Sequence, residues 1–316
     1  MDKPLVSIII NNYNYQNYIS ECIESAVKQD YENIEIIVVD DGSTDNSEKV
    51  ILEYGAKIKY VAKSNGGQAS AMNAGYQMSC GEVIIFLDSD DVLTPHIIGQ
   101  VAGLFESGTK ECIQFLMRRM DKDSKIYEVI DRRHHRSGNL RGDLLSKGPG
   151  NIKFPPTSGN AWSRTALEEV MPIPQDDFRI SADSYLFSSI PLSATIKQSD
   201  LILSFYRIHG NNNYKAPFNE AKAKKSLDLY LKRCQYLLEK APCKNDVDHW
   251  TVSTIYYLSL YCYYNSSKTL GLIGIALKST LTLKQKLIRL SIIIIFLLPI
   301  KSIKIKFLRA IHAKFN

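Results

Sequence analysis

Two clusters of carboxylates are the groups in this chain best placed to do chemistry. Asp40 and Asp41 follow one apolar run, and Asp88, Asp90 and Asp91 follow another. Carboxylates this close together repel one another, and a bound divalent cation relieves the repulsion. Mg²⁺ and Mn²⁺ take hard oxygen ligands and keep positions open for substrate phosphates. In Asp88-Ser89-Asp90, the i, i+2 spacing on extended chain sends both carboxylates to one side. One can then accept from a hydroxyl while the other binds metal. A lone D-x-D is better explained by a turn or a helix cap. Arg207 and His209, entering a Gly-Asn turn, add a second group. A neutral imidazole can complete a metal shell and a guanidinium can grip phosphate bidentately, the alternative being a surface pair at a strand end. His134 and His135, inside the basic stretch 132–136, could bind an anion or belong to a solvated loop.

These residues need elements to position them. Residues 5–10 are aliphatic on both faces, as a buried parallel strand is. In residues 17–29, Ile19, Cys22, Ile23, Ala26 and Val27 recur at helical spacing. Residues 34–39, 57–61 and 83–87 are further strands. Helices are expected from the cap Asp45 or Ser47 to residue 53, over 67–78, and from Pro95 onward. Four alternations of strand and helix predict a parallel sheet with helices on both faces. Ligands of such sheets bind outside the carboxyl ends of the strands. Both acidic clusters lie at such ends, so the pattern places them on one rim. Beyond residue 108 the rhythm changes. Strands are expected at 112–120 and 126–130, joined by a turn at 121–124, then a mobile loop over 132–150. A helix over 180–190 and a closing strand over 201–206 follow. Residues 211–217 read as a linker, and 220–240 and 250–264 as helices. The expected division is a domain of residues 1–215, with halves 1–108 and 109–215, and a helical region of residues 216–316.

The 316 residues are 45% hydrophobic and 23% charged, the composition of a globular chain rather than a disordered one. The formal charge is +6, but it is unevenly spread. No Asp or Glu follows Asp248, while ten Lys or Arg do, so the tail carries +10 and the remainder −4. That distribution argues against a nucleic-acid binder and for an anionic membrane surface as partner. Residues 290–300 are uncharged and contain Pro299. They are too short to cross a bilayer, which takes about 20 residues. Lys284, Lys286 and Arg289 precede them, and Lys301, Lys304, Lys306 and Arg309 follow. Such a segment suits a helix lying in the membrane interface or a buried C-terminal helix with solvated lysines. Six scattered cysteines with no C-x-x-C read as reduced, mostly buried thiols of a cytosolic chain. No basic n-region or cleavage site precedes the first strand, so no signal peptide is expected.

Four blocks carry a resemblance. They are Val6-Ser7-Ile8-Ile9-Ile10-Asn11-Asn12-Tyr13-Asn14-Tyr15, Val38-Val39-Asp40-Asp41-Gly42-Ser43-Thr44-Asp45, Asn65-Gly66-Gly67-Gln68-Ala69-Ser70-Ala71-Met72-Asn73-Ala74-Gly75 and Phe86-Leu87-Asp88-Ser89-Asp90-Asp91. In this order and spacing they resemble the family 2 glycosyltransferases of the GT-A fold, over residues 4–108. Pro156 to Arg164, Ala182 to Leu186 and Tyr206 to Asn212 resemble the family's acceptor half. The resemblance implies an α/β, GT-A-type mixed and mostly parallel sheet with helices on both faces, here followed by a helical, membrane-associating C-terminal region.

It also implies inverting transfer of a sugar from a nucleotide-diphosphate donor. A UDP-sugar fits first, with GDP- or dTDP-sugars as alternatives, and Mg²⁺ or Mn²⁺ sits at the diphosphate. By the same resemblance Asn11 and Tyr13 hold the base, Asp40 meets base or ribose, Asp88 meets the ribose, and Asp90 binds the metal with Asp91 behind it. Asp183 matches the family's acidic base, although Ala182 stands where a Glu is usual. Asp176 and Asp177 are its rivals, and a helix N-cap is its structural alternative. His209 then touches metal or diphosphate. Met72 stands where relatives carry a phosphate-directed arginine, so Arg164 or Arg207 is expected to supply that charge. The acceptor is a glycan or a lipid-linked chain, and the place of action the inner face of the cell membrane, in cell-surface polysaccharide assembly. No Q-x-x-R-W is present, which speaks against a processive synthase. A sugar nucleotidyltransferase would want a Gly-rich basic loop where Asn11-Asn12-Tyr13-Asn14 stands. A non-catalytic glycan-binding module would not need Asp88, Asp90 and Asp183. A dinucleotide-dependent dehydrogenase is excluded, because no G-x-G-x-x-G follows the first strand.

Overall fold

The fold is described from a computed structural model, over residues 3–130, 135–210, 219–243, 245–279, 281–298 and 301–315. Its first half alternates as the residue pattern dictates. The order is β1 (Val6–Asn12), α1 (Ile19–Val27), β2 (Ile34–Asp40), α2 (Ser47–Leu52), β3 (Lys59–Ala62), α3 (Gln68–Met78) and β4 (Val83–Asp88). β1 pairs in parallel with β2 and β4, and β2 with β3. Because side chains alternate across a strand, one face of the sheet carries Ile8, Ile10, Val38, Ile85 and Leu87. These form one core with Ile19, Cys22, Ile23 and Ala26 of α1. Ile9 and Val39 face the other way and meet α3 at Gly75, where an added Cβ would stand 2.3 Å from Ile9 Cγ2. Helices therefore cover both faces, and glycine is what lets α3 lie so close.

The elements that follow in the chain are β5 (Val92–Leu93), α4 (Ile98–Ala102), β6 (Glu111–Asp121), β7 (Ile126–Val129), α5 (Arg141–Lys147), β8 (Asn160–Ser163), α6 (Arg164–Leu167), α7 (Gln175–Phe178), α8 (Ala182–Ser189) and β9 (Thr195–Ile208). The strand order is β3-β2-β1-β4-β8-β6-β9-β5, with β7 on β6. The sheet is mixed. β8 runs antiparallel to both β4 and β6, while β6 and β9 form a long parallel ladder.

Several expected boundaries shift for identifiable reasons. Pro95 does not open a helix; α4 begins at Ile98, after His96 in the left-handed region at φ 57. α2 begins at Ser47, whose N–H donates to Asp45 Oδ1 at 2.9 Å. β9 starts six residues before the apolar run at 201–206, because its first half is an amphipathic strand with Ile196 buried and Lys197 bonded to Glu111. Part of the expected loop 132–150 is the helix α5, with Leu144 buried. Residues 131–134 and the expected linker 211–217 lie outside the described residues.

The chain divides into two compact units. Residues 3–140 and 153–210 form the first; 141–152 and the C-terminal helices form the second. Those helices are α9 (Glu220–Lys240), α10 (Val247–Ser253), α11 (Ile255–Tyr264), α12 (Gly271–Lys278), α13 (Leu283–Leu297) and α14 (Lys301–Phe315). The expected helix over 250–264 is two, divided at Thr254 in extended conformation. Within this unit Trp250 is fully buried and donates from Nε1 to the Leu145 carbonyl at 2.9 Å, and Tyr230 stacks on Tyr257. All six cysteines are free thiols, and four are buried. No described helix is long and apolar enough to cross a membrane.

Candidate active site

The parallel register builds the site. It aligns Asn11 with Asp88 and Asn12 with Asp40 at the carboxyl ends of three adjacent strands. Asn11 Nδ2 donates to Asp88 Oδ1 at 3.2 Å, and Asn12 Nδ2 to Asp40 Oδ1 at 2.8 Å. Asp40 also accepts from the Ser43 hydroxyl and N–H, which fixes the turn after β2. Tyr13 is 44% exposed in the loop after β1.

Asp41 has a role that residue spacing did not reveal. It accepts from Lys63 Nζ (2.6 Å) and from the backbone N–H groups of Gly66 (2.9 Å) and Gly67 (2.6 Å). This grip fixes the β3–α3 loop. Gly67 is required there: its φ is +86, and an added Cβ would stand 2.5 Å from the Arg179 carbonyl oxygen. The fixed loop sets Gln68, whose Nε2 donates to Asp88 Oδ1 at 3.3 Å and whose Oε1 accepts from the Ala182 N–H at 3.3 Å. Gln68 thus links Asp88 to the first turn of α8. That turn carries Asp183, whose Oδ1 accepts from the Ser184 N–H at 2.7 Å. Ser181, not Asp183, is the N-cap residue of this helix.

The carboxylates repel one another as their spacing implies. Loss of water, then the charge of Asp90, push the Asp88 carboxyl up to about 7; Asp183 adds to the rise, and the amides of Asn11 and Gln68 oppose it. Asp91 is fully buried, accepts from the Arg207 N–H at 2.9 Å, and is held well above the usual carboxylate range by burial and by Asp90 and Asp88. Asp90 Oδ2 lies 2.9 Å from His209 Nε2. Tyr15 and Tyr18 pack against that imidazole, at 5.8 and 4.9 Å between ring centroids. Burial raises the Tyr15 hydroxyl, and the charges of Asp90, Asp88 and Asp91 raise it further, so Tyr15 lies within the same field.

The two arginines expected at phosphate are placed differently. Arg207 is 1% exposed. Its Nε donates to the Asp90 carbonyl at 2.8 Å, one terminal nitrogen to Ser124 Oγ at 2.9 Å, and the other to Glu21 Oε2 at 2.5 Å; the guanidinium lies over Tyr18. A planar fork donating in these directions orients the Asp90-Asp91 loop from within the protein. Arg164 donates to the Gly81 carbonyl and Ser79 Oγ, which lie before β4, at the end opposite the acidic rim. Of the His134–His135 pair, His134 lies outside the described residues. Asp176 and Asp177 are exposed on α7.

Among the described residues no group of three or more His, Cys, Asp or Glu side chains converges on one point. The pair Asp90 and His209 still fits a hard divalent ion. A carboxylate and an imidazole supply two ligands, and Mg²⁺ characteristically takes one or two carboxylates with substrate phosphates and water. Burial is the larger cause of the raised carboxyls of Asp88 and Asp91; the charges of neighbouring aspartates add to it, and a cation would relieve that part.

The sign of the pH effect follows. With Asp88 at about 7 in the folded chain against an ordinary value of 3.8, the native state binds the extra proton between these limits. Its contribution to stability is full below about pH 4 and is lost as pH rises through about 7. In metal-free protein Asp88→Asn is therefore expected to flatten the loss of Tm between pH 5 and pH 8. An unchanged Tm–pH slope in that variant would contradict the assignment.

Comparison with known proteins identifies the family. Residues 7–171 match the family described as glycosyl transferase family 2. An uncharacterized glycosyltransferase of a Nostoc species is 37% identical over 236 residues, covering 71% of this chain and 72% of that protein. The chain belongs to glycosyltransferase family 2. Glycosyl transfer is its functional class. At the level of fold, the chain resembles S. aureus TarS 1-349 in complex with UDP-GlcNAc, with a TM-score of 0.55 and 16% identity over 93% of this chain and 82% of that one. A mannosyltransferase from Pyrobaculum calidifontis, in complex with GDP-Man and Mn²⁺, aligns at a TM-score of 0.54 and 13% identity over 98% and 85% of the two chains.

Proposed function

We propose that this family 2 member transfers one sugar, with inversion, from a nucleotide-diphosphate sugar to a hydroxyl of a glycan or lipid-linked acceptor. The observation that carries the reading is how Asp88, Asp90 and Asp183 are placed. The first two stand at the donor rim and the third on α8, yet Asp183 is near enough to raise Asp88 and is linked to it through Gln68. An inverting displacement requires a carboxylate on the donor side and a base on the acceptor side.

In this reading Asn11 and Tyr13 hold the nucleotide base, Asp40 braces the base or ribose, and Asp88 accepts from the ribose. Asp90 and His209 hold Mg²⁺ or Mn²⁺, which would neutralise the negative charge gathered by the departing diphosphate. Asp183 takes the proton from the attacking hydroxyl. Asp176 and Asp177 are exposed on α7, whereas Asp183 stands in the turn that Gln68 ties to Asp88. Arg207 acts on the reaction through the Asp90-Asp91 loop that it orients. A UDP-sugar is the first choice of donor, with GDP- or dTDP-sugars next. The TarS and mannosyltransferase complexes, with UDP-GlcNAc and with GDP-Man and Mn²⁺, support a nucleotide-sugar donor and a divalent ion. Cell-surface polysaccharide assembly on the cytoplasmic face of the membrane would be the setting.

The test is a thermal-shift panel of UDP-, GDP- and dTDP-sugars with and without Mn²⁺, followed by assay of nucleoside diphosphate release. A cognate donor at 100 times its Kd adds about 2.7 kcal/mol of stability. The proposal predicts that this gain needs the cation. No gain from any donor, or equal gains with the cation chelated, would refute it.

A further inference from the structure

The C-terminal unit has a helix whose outer face is the wrong kind for water. α13 begins at a capping box formed by Thr282 and Gln285, so its register is set. Projected at 3.6 residues per turn, Ile292, Ile293, Phe296 and Arg289 fall on one side, and all four are buried. The opposite arc, roughly 100° wide by the same projection, holds Leu283, Leu287, Leu290, Ile294 and Leu297. Leu283 is 75% exposed, Leu287 56% and Ile294 57%. A helix on the surface of a globular unit ordinarily turns its polar residues outward, and one that is apolar all round belongs in a core or in lipid. Leu270 and Leu277, of the α12 stretch that packs on α13, are exposed as well.

Charge identifies the occupant. Lys278, Lys284, Lys301, Lys306 and Arg309 are exposed, and the chain has no acidic residue after Asp248. Lys284 lies next to the aliphatic arc on α13. Arg289, expected among the flanking cations, is not one of them: it is buried and donates to the carbonyls of Val252 and Ser253, at the end of α10. A protein partner could cover leucines, but helices α12–α14, which carry these exposed cations and no carboxylate, match an anionic plane. We infer that the α12–α14 region docks on an anionic bilayer, with Leu283, Leu287, Ile294 and Leu297 immersed at the level of the headgroups and the lysines over the lipid phosphates.

The test is co-sedimentation of the full chain with phosphatidylcholine vesicles, with and without phosphatidylglycerol. Binding is expected to need phosphatidylglycerol and to weaken as salt rises. The combined substitution Leu283→Ser, Leu287→Ser, Ile294→Ser, Leu297→Ser should reduce it about tenfold or more with Tm unchanged, since these side chains are exposed. A second variant, Lys284→Glu, Lys301→Glu, Lys306→Glu, should lose binding while leaving the leucines in place. Equal binding to neutral vesicles, or undiminished binding by either variant, would overturn the inference. So would a dimer in light scattering that the serine variant dissolves while the wild-type chain ignores vesicles. No sugar donor enters the measurement, so its outcome is separate from that of the transfer reaction.

Discussion

Asp183→Asn is expected to lower kcat by about 10²–10⁴, the rate ordinarily supplied by a general base, or about 3–5 kcal/mol of transition-state stabilisation. The replacement is nearly isosteric. An amide oxygen can still accept from the Ser184 N–H, so the start of α8 is kept, and donor affinity should not change. The substitution also removes one of the charges that raise Asp88, so a donor-binding pH dependence that reports Asp88 should move to lower pH. Steady-state kinetics with the donor and acceptor found by the panel, together with donor titration, separate the two effects. An unchanged kcat would remove Asp183 from the reaction and return Asp176 and Asp177 to consideration.

The second large effect is expected at Asp90. Asp90→Ala should abolish stimulation by Mn²⁺ or Mg²⁺ and reduce turnover by about 10³ or more, since charge neutralisation by a metal is worth several kcal/mol. Asp90→Asn distinguishes loss of the ion from loss of the fold. It retains a polar partner for His209 Nε2 and relieves the repulsion on Asp88 and Asp91, so the protein should stay folded while its response to the cation is lost. Mn²⁺ titrations of turnover and of Tm on both variants provide the measurement. Full activity in Asp90→Ala would take the ion away from this residue.

Residue types and spacing disclosed much of this protein. The apolar runs at β1, β2 and β4 are buried on both faces, so they leave an unmistakable pattern. Because each ends in Asn or Asp, the acidic rim follows from strand polarity alone. What the pattern did not reveal has a common cause. β8 is four residues long and its burial comes from partners on both sides rather than from its own composition. Asp41 stands beside Asp40 in an acidic cluster at a strand end, yet it is occupied by the β3–α3 loop, whose N–H groups carry no sequence signal. Arg207 was read from its position after a strand; burial beside Glu21 and Tyr18 decided the direction of its guanidinium.

The sequence by itself determined which groups are present and at which strand ends they stand, because hydrophobic periodicity and turn chemistry act over short stretches of chain. Only the tertiary structure decided which of those groups meet. The turn that carries Asp183 is tied to Asp88 across nearly a hundred residues through Gln68, and the arginines are turned toward protein partners. Those outcomes depend on long-range packing and on the cost of burying charge, and neither is written in any local stretch of the chain.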